Sequence, residues 1–154
     1  RQPEKGFLHI EDELHVISSL RDEGLTIGMM INWARSVIET GLPDTAEQHI
    51  KLANEANALA AVMFSGCSPM PTEYGYPWID AHLPPSELHP AALSLLNADE
   101  MQRCLRAAGP TPIRGFKIAL PRQAKTPLER AHLLRQMSDL IETATSPLPA
   151  MMTA

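Results

Sequence analysis

The chain has 154 residues, 44% hydrophobic and 20% charged, which fits one globular unit or a piece of a larger one. A formal net charge of −5 with no Lys/Arg run argues against a nucleic-acid surface or an acidic-membrane binder. Cys67 and Cys104 are too few for a disulfide scaffold, and no apolar run is long enough to span a membrane, so the expectation is a cytoplasmic protein with reduced thiols.

The first expected element is a helix over 10–23, with Ile10, Leu14 and Ile17 on one face and Gly24 as its stop. A nearly continuous apolar run from Leu25 to Ile31 predicts a strand near 25–32, buried on both faces as parallel strands are. Asp44 and Glu47 have capping-box spacing and open a helix near 44–57, with Ala46, Ile50 and Ala53 along one stripe. The run Leu59 to Phe64, ending in Ser65-Gly66, predicts a second strand near 59–65. From Cys67 to about Leu96 the chain is rich in Pro, Tyr, Trp, Asp and His and reads as a long loop, a feature that in compact domains is usually functional. Asn97 and Glu100 cap a helix near 98–108, whose inner face is Met101, Cys104, Leu105 and Ala108. Gly109-Pro110 ends it. A third strand is expected near 113–120. Thr126, Pro127 and Glu129 then start a helix near 127–145, burying Leu133, Leu134, Met137, Leu140 and Ile141. The tail 146–154 is expected to fray.

Apolar strands alternating with helices predict a parallel sheet with right-handed crossovers, in a single α/β unit over 1–154. A closed barrel needs about eight strands. Three strands therefore look incomplete as a fold, and the absent starting Met points to a processed or cut chain.

Four segments carry a family resemblance: Gln2 to Leu8, Ile31-Asn32-Trp33-Ala34-Arg35-Ser36, Met63-Phe64-Ser65-Gly66, and Pro77-Trp78-Ile79-Asp80-Ala81-His82-Leu83-Pro84-Pro85. Together they resemble an uncharacterised bacterial family similar to the xylose-isomerase-like TIM barrels, of the sugar-phosphate isomerase/epimerase type. The resemblance implies that this chain is the C-terminal half of a (β/α)8 barrel, carrying its sixth, seventh and eighth strands. It further implies that an acidic, histidine-bearing fifth strand lies upstream of Arg1. Fold analogy does not by itself fix function.

In barrel enzymes, polar groups at the C-terminal strand ends face the active site. Asn32, Trp33 and Arg35 follow the first strand: Asn32 could bond a sugar hydroxyl, Trp33 could stack on a ring, and Arg35 could hold a carboxylate or phosphate. Equally, Arg35 could pair with a neighbouring acid. Ser65 lies in a small-residue stretch, Ser65-Gly66-Cys67-Ser68, that lets a ligand approach the backbone. No GxSxG or Cys/His signature supports a nucleophile there. In the polar loop, Trp78 is a candidate substrate contact, and Asp80 and His82, two apart, could project together. Asp80 is a candidate catalytic acid or base. His82 is a candidate ligand for a divalent metal in the intact protein, or simply the partner in a loop salt bridge. Lys117, flanked by Phe116 and Ile118, could bind an anion, polarise a carbonyl or form a Schiff base, or could snorkel to water. No Glu lies on that strand, unlike the usual last-strand metal acid of xylose-isomerase-like barrels. The leading expectation is an isomerase- or epimerase-like barrel acting on a small sugar or polyol, inactive as this piece. The rival is a non-catalytic binding or structural barrel. Either way the chain is expected to self-associate or to pack on an N-terminal half.

Overall fold

A computed structural model describes residues 8–110 and 113–145. In chain order the elements are α1 (Ile10–Asp22), β1 (Met29–Asn32), α2 (Trp33–Thr40), α3 (Asp44–Glu55), β2 (Leu59–Phe64), a 3₁₀ turn (Pro90–Ala92), α4 (Ala98–Ala108), β3 (Ile113–Phe116) and α5 (Pro127–Thr145). The three strands form one parallel sheet in the order β1-β2-β3. This is the α/β architecture expected from the alternation, with flanking helices. The expected frayed tail lies outside the described residues.

Two strands are shorter than expected. Leu25 is exposed, and the β1 ladder begins only at Met29, whose N–H donates to the Ala58 carbonyl. β3 ends at Phe116, so Lys117 follows the strand rather than sitting inside it. Helix starts follow side-chain chemistry. Asn97 accepts from the Glu100 N–H at 2.9 Å and caps α4. At the start of α5, Thr126 accepts from the Glu129 N–H while the Glu129 carboxylate accepts from the Thr126 N–H, a complete capping box. The expected box at Asp44 does not form. Asp44 is already helical, and its carboxylate turns to Arg103 on α4 at 2.8 Å.

The register separates two faces. In a parallel pair, partners point the same way. One set holds Ile31, Val62, Arg114, Phe64 and Phe116; the other holds Met30, Ala61, Ile113, Asn32, Met63 and Gly115. Ile31, Val62 and Phe64 are buried with Val37, Ile50, Met101 and Met137 from the helices, in one hydrophobic core that runs from α1 to α5. α4 buries Met101, Cys104, Leu105 and Ala108, as its periodicity predicts. α5 packs on α4 and buries Met137, Ile141 and Ala144 but leaves Leu134 exposed, since its buried stripe is narrower than its apolar residues. On the opposite face, Met30 is 49% and Ile113 59% exposed, and a Cβ on Gly115 would meet nothing within 4 Å. The helices therefore cover one side of the sheet and leave the other open. No described helix is long and apolar enough to cross a membrane.

Candidate functional site

The C-terminal strand ends gather several of the expected residues. Asn32 is the last residue of β1 and the N-cap of α2. Its side-chain oxygen accepts from the Arg35 N–H at 3.4 Å and from the Ser65 hydroxyl at 2.8 Å. Since a backbone N–H can only donate, the oxygen of the amide must face it, which leaves the NH2 of Asn32 as the donor for a ligand. Ser65 follows β2 and is fully buried. The Lys117 N–H donates to the Phe64 carbonyl at 2.9 Å, so Lys117 stands at the same end of the sheet, exposed.

The segment 67–96 folds back over that end. Gly66 and Leu83 form a two-bond antiparallel bridge, Trp78 donates its N–H to the Ser68 carbonyl, and Leu95 donates to Cys67. The His82 carbonyl accepts from the Ala119 N–H at 2.6 Å, tying the loop to the β3 exit. Gly66 is needed here: a Cβ would lie 2.1 Å from the Ser94 hydroxyl oxygen and 2.7 Å from the Leu83 carbonyl oxygen. Within the loop, His82 Nδ1 lies 3.1 Å from Asp80 Oδ1, an ion pair when the imidazole is protonated. Trp78 and His82, flanking Asp80, both have left-handed backbones (φ 63° and 58°), a conformation disfavoured for non-glycine residues. Trp78 packs against the core and its ring lies 3.7 Å from where a Cβ on Gly41 would be. Further along, Glu73 bonds His89 at 2.8 Å, and these bonds together with Arg122 hold the Glu73 carboxyl below its ordinary range.

The remaining expected residues lie elsewhere. Trp33 is only 1% exposed and belongs to the core, so its ring presents no face to a ligand. It starts a helix, α2, that the sequence reading did not include. Arg35 forms an ion pair with Glu13, which links α2 to α1. Burial, with Asp80 nearby, pushes the Cys67 thiol up to about 12, so it stays protonated at neutral pH. Among the described residues, no group of three or more His, Cys, Asp or Glu is arranged to hold a metal, so Asp80 and His82 could furnish only part of a ligand set.

One cluster escaped the sequence reading. His49 on α3 is buried and bonds the Ser36 hydroxyl of α2 at 3.0 Å, and burial lowers its pKa. His9 bonds Glu39 at 2.5 Å, which raises the pKa of this exposed imidazole. His49 lies three residues after Ala46 and four before Ala53, a spacing that could have marked it as inward, but nothing local identified its hydroxyl partner thirteen residues away.

The chain is 32% identical over 148 residues to "Uncharacterized protein STM3670" of Salmonella typhimurium, a match covering 93% of this chain and 44% of that protein. The chain thus spans less than half the length of this curated relative. No solved structure matches it. The profile of a family described as "Domain of unknown function (DUF4862)" matches residues 1–132, and the chain belongs to that family.

Proposed function

We propose that the chain supplies the last three strands of a xylose-isomerase-like (β/α)8 barrel, and that the C-terminal end of its sheet binds a small sugar or polyol for isomerase- or epimerase-type proton transfer. The observation that carries this reading is the Asn32–Ser65 hydrogen bond, which joins the C-terminal ends of two adjacent strands, with Ser65 itself buried. A polyol needs paired donors and acceptors on a rigid support, and strand ends provide that support. Asp80, beside His82, is the group of the right type to take a proton from carbon, and the exposed ammonium of Lys117 would steady developing negative charge. The acid/base set would be completed by residues outside this chain. A divalent metal would likewise need ligands beyond Asp80 and His82, and no step is routed through one.

A second reading, a non-catalytic binding barrel, is favoured by the lack of a three-ligand metal group among the described residues and by the engagement of Arg35 with Glu13. Both readings predict binding. Titrating the chain with tetritols to hexitols and their phosphates, followed by amide NMR, should give saturable shifts at Asn32 and Ser65. Ser65→Ala should lose these shifts while remaining folded, its stability lower by about 1 kcal/mol for the lost hydrogen bond to Asn32. No shift with any member of the panel would sink the proposal. Deuterium uptake from solvent into the carbon skeleton of a bound polyol, in the assembled protein, would separate enzyme from binding module.

A further inference from the structure

Met30, Ile113 and the open ground above Gly115 form an apolar wall on the uncovered face of a wholly parallel sheet. Parallel sheets occur almost only with both faces covered. Among the described residues, the outer strands β1 and β3 each have a single strand neighbour, so each leaves one edge without a strand partner. Whatever completes the molecule must meet three demands at once: cover the wall, pair with β1, and pair with β3.

A second copy of this chain meets them poorly. Three strands of about four residues make a face of roughly 200 Å², well short of the roughly 800 Å² that each partner buries in a standard interface. A two-fold axis between like edges would also pair them antiparallel and leave the other edge bare. A run of further parallel strands, in contrast, can start at one edge, curve round and end at the other. The Salmonella relative has the length for it, since more than half of that protein lies outside the match.

We infer that the open face and both sheet edges are an assembly surface for the strand-bearing remainder of a full-length family member, which binds as a single complementary segment and not as a second copy of this chain. The inference rests on the barrel reading proposed above, but not on any ligand. It places the Asn32–Ser65 pair at the rim of the interior so formed, with Met30 and Ile113 deeper inside.

The test is co-expression of the 154-residue chain with the part of the Salmonella relative that it does not match, read by native mass spectrometry and light scattering. The expected product is a one-to-one complex. Met30→Lys and Ile113→Lys should each weaken it at least tenfold. Both positions are already half exposed, so the variants should fold, with unchanged circular dichroism. Ser65→Ala should leave the complex intact, which separates failure of the ligand reading from failure of the assembly. A stable monomer that ignores the segment, or a homodimer abolished by Met30→Lys, would overturn the inference.

Discussion

At the scale of single residues, the loop over the strand ends is held in costly geometry. A left-handed backbone costs an L-residue roughly 1–2 kcal/mol, and His82 and Trp78 both adopt it within five residues. Such strain persists where the surroundings over-determine it, here through the Gly66–Leu83 bridge and the His82–Ala119 bond. His82→Gly and His82→Ala both delete the imidazole that pairs with Asp80, but only glycine relieves the backbone. In urea unfolding, His82→Gly should therefore be about 1 kcal/mol more stable than His82→Ala. Equal midpoints would mean that the backbone at 82 is unstrained. A loop salt bridge between Asp80 and His82 was one of the two readings their spacing left open. The strain was not legible, because neither residue type announces a positive φ.

At the scale of elements, the joint between α2 and α3 makes stability depend on pH. His49 sits buried against Ser36, and desolvation outweighs the neighbouring Glu39, Glu11 and Glu13 in setting its lowered pKa. A histidine that is harder to protonate when folded favours the fold above its unfolded pKa of about 6.5, and that contribution is lost as pH falls through the folded value. His9 acts in the opposite sense, since its raised pKa gives a contribution lost as pH rises, but it is exposed and its partner bond is readily screened. Urea midpoints should fall between pH 7.5 and pH 5.5 for the native chain and fall less for His49→Gln. A steeper fall in the variant would contradict the assignment. α2 is also the element that sequence reading missed. Its signals were present: Asn32 as cap, Trp33 and Val37 one turn apart, and Gly41 with a left-handed φ of 80° as its stop. They were obscured because strand and helix share Asn32 with no loop between them, so Trp33 and Arg35 read as an exposed strand end. α1, α3, α4 and α5 were legible because each carries a clear apolar stripe and, for α4 and α5, a working cap.

At the scale of the whole molecule, a three-stranded parallel sheet covered on one side was foreseeable from three apolar runs separated by helices. The open face was foreseeable too, because Met29, Met30 and Ile31 are apolar in succession, and a strand with one buried face alternates instead. The proposed barrel and its ligand both depend on how that face is covered. The structure of the full-length Salmonella relative decides the matter most directly. In the region matching this chain, the account predicts three consecutive parallel strands within a closed barrel. The counterparts of Met30 and Ile113 should point inward, and those of Asn32 and Ser65 should lie at the C-terminal rim. An open sheet there, or an inward face lined by the counterparts of Ile31, Val62 and Phe64, would contradict it.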